Sequence, residues 1–181
     1  GFNLSRRSYT TLDGLALELF NGIAVYQLNQ EEHWSYDNTV RRASLRYANE
    51  GLVLSQNTGS LAGHVTDGFT LEASEIAHMD TLATRLDPNW PNRPSPDSFR
   101  HPGIINTLIQ DNELHHLGFR SDQDNAVGAL FPYADTLRFQ GNHVHHVAQN
   151  GVQFNKSIIQ SGKLYDFDPN EIKTGQILIK D

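Results

Sequence analysis

Two nine-residue segments of this chain match position for position at an offset of 30: Ile109-Gln-Asp-Asn112-Glu-Leu114-His-His116-Leu117 and Phe139-Gln-Gly-Asn142-His-Val144-His-His146-Val147. The shared order is apolar, two polar residues, Asn, any residue, apolar, any residue, His, apolar. With allowance for loops, the frame also fits Leu71 to Met79 and Val40 to Ala48, and more loosely Leu12 to Leu17. Such a repeat restricts the fold severely. One unit cannot bury its apolar face alone, so the units must stack.

Within each unit the apolar residues alternate, which is the period of a strand with one buried face. Several units continue into a second short alternating run opened by Gly: Gly22-Ile23-Ala-Val25, Gly51-Leu52-Val-Leu54 and Gly151-Val152-Gln-Phe154. Gly and Asn are expected where the backbone must turn sharply or take positive φ. The fold class that follows is all-β, a right-handed parallel β-helix of about five to six rungs forming one domain over residues 1–181. Stacking sets Ile109 beside Phe139, Leu114 beside Val144 and Leu117 beside Val147. Ser74, Asn112 and Asn142 then form an inward ladder of hydrogen-bonding side chains. The final stretch from Gly175 to Asp181 reads as the opening of a further rung, with Ile179 in the place of Phe139. An antiparallel β-sandwich also yields short alternating strands, but it does not predict superposable segments.

Three stretches interrupt the repeat and read as inserted loops, at about 27–37, 80–102 and 157–174. The second holds five of the seven prolines, Pro88, Pro91, Pro94, Pro96 and Pro102, and proline cannot donate to a strand ladder. Composition removes several function classes. Fourteen basic against twenty-one acidic residues give a formal charge of −7, with no basic cluster suited to a phosphate backbone, so no nucleic-acid partner is expected. Zero Cys excludes disulfides, thiolate metal sites and a Cys nucleophile. No apolar run approaches the ~20 residues of a membrane helix, so membrane insertion is not expected.

The repeat strings resemble the right-handed parallel β-helix rungs of the pectate-lyase-like superfamily. Asn142-His-Val144-His-His146-Val147 and Asn112-Glu-Leu114-His-His116-Leu117-Gly118 are similar to the Asn-x-Ile-His-x-x-Gly rungs of its extracellular carbohydrate-active members. Tyr9-Thr-Thr-Leu12-Asp-Gly-Leu15 is similar to the rung that often opens such helices. The resemblance covers residues 8 to 154 with interruptions and is specific for the fold rather than the activity. It implies a secreted or periplasmic protein acting on a polysaccharide, as a lyase or a glycoside hydrolase. A non-catalytic polysaccharide-binding module, adhesin or tailspike-like solenoid is the other class it admits. Members run to several hundred residues, so this chain is expected to be a segment of a longer protein, with flanking rungs of that same chain as partners.

The site candidates begin with histidine. His78, His116 and His146 occupy one column of the repeat, with His115 and His145 beside the last two. At a rung spacing of ~4.8 Å the equivalent rings would stack into a ridge. A ridge of imidazoles can act as a base or hydrogen-bond a sugar, and it can equally be a structural stack. A zinc site is not expected, since no carboxylate is interleaved in the column. For a lyase, Arg138, Lys156 and Arg120 lie near the histidine rungs as cations, with Tyr133 as an acid. For a hydrolase the available carboxylates are Asp111, Glu113, Asp122 and Asp124. Trp34, Trp90 and Tyr133, together with His78, are candidates for contact with sugar rings. Asp166-x-Asp168-x-Asn170 begins like a calcium loop but lacks its later Gly and Glu, so the cofactor expectation is none or calcium.

Overall fold

The computed structural model describes residues 1–19, 21–30, 34–57, 66–87, 104–118, 120, 127–131, 137–148, 150–154 and 178–179, and every regular element among them is a β-strand. One sheet joins β2 (Thr11–Asp13), β6 (Thr39–Arg41), β10 (Thr70–Glu72), β14 (Leu108–Gln110) and β17 (Arg138–Gln140). The next along the chain joins β3 (Ala16–Glu18), β7 (Ser44–Arg46), β11 (Glu75–Met79), β15 (Glu113–Leu117), β18 (His143–Val147) and β20 (Leu178–Ile179). The third joins β1 (Phe2–Asn3), β4 (Ile23–Gln30), β8 (Glu50–Asn57), β12 (Leu82–Asp87), β16 (Val127–Phe131) and β19 (Asn150–Phe154). A small sheet of β5 (Ser35–Tyr36), β9 (Thr66–Asp67) and β13 (Ile104–Ile105) leads into the first. Every one of these pairings is parallel. The chain is therefore a parallel β-helix and not an antiparallel sandwich.

The register reproduces the repeat. Leu12, Val40, Leu71, Ile109 and Phe139 stand in one column, and Leu17, Leu45, Ile76, Leu114 and Val144 in another. Both columns point to the axis, where Val40, Leu45, Leu71, Ile76, Ile109 and Leu114 are fully buried. Burying such a side chain contributes roughly 1.5–3 kcal/mol. At the end of the helix the sequence reading is corrected. Ile179 pairs with Val144, one sheet further along the rung, and not with Phe139. Alternating apolar residues serve either sheet equally, so alternation alone could not place this strand.

The third sheet also takes in residues that read as loop. β4 runs to Gln30, and β12 fills Leu82 to Asp87. The apolar alternation is broken at Gln27 because that residue is polar yet buried, and its amide donates to Thr66 Oγ1 at 2.9 Å and accepts from Asn38 Nδ2 at 2.8 Å.

An internal ladder of polar side chains accompanies the core. Asn112 Nδ2 donates to Asn142 Oδ1 at 2.8 Å, Asn112 Oδ1 accepts from the Ser74 amide at 2.9 Å, and Ser74 Oγ accepts from the Ala43 amide at 3.0 Å. Each Asn also donates to a carbonyl of the preceding rung, Leu71 O for Asn112 and Ile109 O for Asn142. These groups are out of water, so each bond lost would leave a buried orphan.

The bends depart from expectation. Positive φ falls mainly on single residues, either between strands or, for His78, His116 and His146, at the penultimate position of β11, β15 and β18, and the ladder residues Asn112 and Asn142 come immediately after two of the former. Tyr9, Asp37, Gly68 and Asn106 form one bend column, and Gly14, Arg42, Ala73, Asp111 and Gly141 a second. Leu19, Tyr47, His78, His116 and His146 form the third. One left-handed residue redirects the strand while its amide still bonds the neighbouring rung, as from Asp111 to Gln140 O at 3.1 Å and from Tyr47 to Ala77 O at 3.3 Å. Gly51, which opens the second alternating run of its rung, has another purpose. A Cβ on Gly51 would lie 2.4 Å from Ile76 Cγ2 and 2.5 Å from the Ala83 carbonyl, so this corner requires close approach and not a special φ.

Asn112→Ala is expected to lower unfolding stability by about 3 kcal/mol, because it orphans the buried Ser74 amide and removes a partner of Asn142. Chemical denaturation measures this. Gln110→Ala, on the outward face of the adjoining strand β14, is expected to cost under about 0.5 kcal/mol.

Candidate functional site

The third bend column carries the histidines. A left-handed backbone costs an ordinary L-residue about 1 kcal/mol, and small polar residues or Gly occupy most of the other two columns. In this column the bend residues are instead a leucine, a tyrosine and three histidines. Their rings stack along the axis: Tyr47 on His78 at 4.8 Å between centroids, His78 on His116 at 4.9 Å and His116 on His146 at 4.7 Å. Aromatic stacking contributes roughly 0.5–1.5 kcal/mol per pair, which offsets the backbone cost. Tyr47 had a sequence signal, since it fills the histidine place in its own copy of the repeat.

A second column stands beside the first on the outward face of the second sheet. His115 stacks on His145 at 5.0 Å with an interplanar angle of 3°. Successive outward positions on a strand are two residues apart, so Glu113 flanks His115 and His143 flanks His145. Register places Glu75 against Glu113 and Glu113 against His143. His115 Nε2 meets Glu75 Oε1 at 3.0 Å, and His145 Nε2 meets Glu113 Oε1 at 3.3 Å. Carboxylates are therefore interleaved with the histidines, one column over.

Within each rung the two imidazoles touch. His115 Nδ1 lies 2.6 Å from His116 Nδ1, and His145 Nδ1 lies 2.5 Å from His146 Nδ1. The chain of donors follows from the carboxylate. Burial alone would raise the Glu75 carboxyl, but hydrogen bonds from Arg46 and His115, the Arg46 charge and the Ser44 hydroxyl outweigh it and hold it below the usual carboxylate range. Arg46 Nε is 2.9 Å away and Ser44 Oγ 3.2 Å. An ionised Glu75 only accepts, so the neutral His115 ring carries its proton on Nε2 and its lone pair on Nδ1. His116 then donates from Nδ1 and keeps its accepting lone pair on Nε2. Desolvation, followed by the like charge of His115, His146, His78 and His145, holds His116 below the ordinary 6.5.

An open groove of about 730 Å³ lies beside the Leu19, Tyr47 and His78 end of this column, lined also by Asn21, Met79, Asp80 and Arg120. Arg120 is 80% exposed, with its Nε 3.5 Å from Asp80 Oδ1. The ridge thus gathers His78, His115, His116, His145 and His146, and Arg120 shares the groove lining with His78. Other sequence candidates fall elsewhere. Arg138 is exposed on β17 of the first sheet, and Asp111 is an exposed bend residue just before β15, on the order of 16 Å along the chain from His116. Trp34 is 45% exposed and stacks on Tyr36 at 5.9 Å, two bends along the rung from Tyr47. Lys156, Asp122, Asp124, Trp90, Tyr133 and the calcium set Asp166, Asp168 and Asn170 lie outside the described residues. Sequence reasoning missed the functional potential of Glu75, Arg46, Tyr47 and His143. Glu75 and His143 are outward partners of the repeat's histidines at equivalent strand positions, a signal visible once the columns are aligned.

No protein-family model matches the chain, and no curated protein matches it. Among solved structures it is similar to an alginate lyase from Paenibacillus sp. str. FPU-7, at 11% identity and a TM-score of 0.40. The match covers 83% of this chain and 39% of that one, so the chain spans well under half of that structure's length. The fold and site described above rest on the ladders and contacts of this chain alone.

A histidine with a depressed folded pKa favours the fold while neutral. That contribution is whole above about 6.5 and is lost as the pH falls through the lower folded value. NMR titration of the His116 ring is expected to give a midpoint below 6.5, and His115→Ala is expected to move it upward by opening the ring to water. A wild-type midpoint at or above 6.5 would contradict the stacked arrangement.

Proposed function

We propose that the protein is an exported carbohydrate-active β-helix that cleaves an acidic polysaccharide by β-elimination at the imidazole ridge. The observation that carries the reading is the hydrogen-bonded chain Glu75, His115, His116, which ends in an accepting imidazole nitrogen within a column that is open to solvent. The ridge repeats with the rungs, at ~4.8 Å, so an extended glycan can lie along it with successive rings meeting successive imidazoles. His116 Nε2 takes the proton from the carbon beside the uronate carboxylate. The electron pair left behind forms a carbon–carbon double bond, and the glycosidic C–O bond breaks. The departing oxygen takes a proton from His78, the next ring in the column, with Tyr47 stacked behind it. The Arg120 guanidinium, beside His78 in the groove, offsets the charge that develops on the carboxylate.

A glycoside hydrolase needs one carboxyl that can hold a proton near neutral pH. Glu75 is kept ionised by Arg46, His115 and Ser44, so this carboxyl does not supply such a proton. Elimination needs no protonated carboxyl.

The test is a panel of uronic-acid and neutral polysaccharides, followed by ultraviolet absorbance of unsaturated uronate and by released reducing ends. His116→Asn suits it, because Asn tolerates the left-handed backbone. New absorbance in the wild type with a roughly 10²-fold lower rate in His116→Asn is the expected result. Reducing ends without absorbance would assign hydrolysis, and glycan binding without either signal would assign a binding module.

A further inference from the structure

We propose that Glu113, His143 and His145 form a binding site for one divalent transition-metal ion of the zinc class. His143 and His145 are two residues apart on β18 and share its outward face, and Glu113 stands opposite His143 on the adjacent strand. The prospective ligand atoms all lie within 4.8 Å of one another. The two imidazole rings are 4.3 Å apart at their centroids, and Glu113 Oε1 is 3.3 Å from His145 Nε2. Ligands around zinc sit ~2.0–2.2 Å from the ion, hence somewhat over 3 Å from each other. Small side-chain rotations close that gap.

The neighbouring rungs show why the site occurs here. The corresponding outward pairs are Ser44 with Arg46, Glu75 with Ala77, Glu113 with His115, and His143 with His145. Glu75 has its charge met by Arg46. Among the described residues, the ion-pair partner of Glu113 is His145 alone, and only β18 offers two imidazoles at the paired positions. Two nitrogens and one carboxylate suit zinc, cobalt or nickel, whereas calcium takes oxygen ligands throughout. His146 completes the arrangement. When His145 binds the ion through Nε2, its Nδ1 holds the proton and donates to His146 Nδ1, 2.5 Å away, which fixes the ring of the ligand. Glu113 is 54% exposed, so further coordination positions face solvent.

This site does not depend on the polysaccharide reading, and its test needs no turnover. Calorimetric titration of the full chain with zinc chloride at neutral pH is expected to show one ion per chain, and cobalt substitution to give the visible absorption of a low-coordinate site. His143→Asn and Glu113→Gln are each expected to weaken binding at least tenfold. His78→Asn, on the same ridge but outside the cluster, is expected to leave affinity unchanged. Nitrogen NMR is expected to show His145 changing tautomer on zinc addition. Circular dichroism confirms folding of each variant, and the two ligand variants report separately, so failure of one to fold still leaves the other to decide. No saturable binding, undiminished affinity in a folded His143→Asn or Glu113→Gln, or equal loss in His78→Asn would overturn the proposal.

Discussion

Parallel register between successive rungs is the constraint on which everything else in this molecule depends. Each strand uses its backbone groups to bond the rung before and the rung after, so no sheet can form without its neighbours. The bends keep the register intact because a single left-handed residue turns the chain while its amide still finds a carbonyl in the next rung. Side chains at equivalent positions are consequently forced into contact. What a column contains is amplified by repetition: apolar residues become a core, Asn112 and Asn142 with Ser74 become a ladder, and bend histidines become a ridge.

The inward and outward columns follow different rules. Inside, the stack satisfies the asparagine amides and the Gln27, Asn38 and Thr66 cluster, while the Ser55, Thr84 and Thr107 hydroxyls are buried without a hydrogen-bond partner among the described residues. Outside, the second sheet collects charges and imidazoles that the core has no part in choosing. Glu75 shows how two roles meet in one residue. It anchors Arg46 and Ser44 as any surface carboxylate can, and by remaining ionised it also sets which nitrogen of His115 bears the proton.

Much of this was legible in the sequence. The offset between Ile109 and Phe139 identified the partner strands, and the alternation within each copy separated buried Leu114 from outward His115. The ladder through Ser74 was legible for the same reason. Three things were not. Ile179 could be seated over Phe139 or Val144, because both columns ask for an apolar residue and nothing local distinguishes them. Positive φ was expected at Gly and Asn, yet stacking energy lets Tyr47 and three histidines hold that conformation. The partners of the histidines lie in another column, and a pattern read along one column does not reveal a diagonal contact such as Glu75 with His115.

The axial ridge also has the character of a measuring rod. Its unit is the rung, and its length is the number of rungs whose third bend bears a ring, from Tyr47 through His146. Duplicating one rung would add one graduation at the same spacing and leave the others in place, since each ring is held by its own strand and its immediate neighbours. Gaining or losing repeats would therefore lengthen or shorten the row of stacked rings, while the surroundings of any one ring stay as they were.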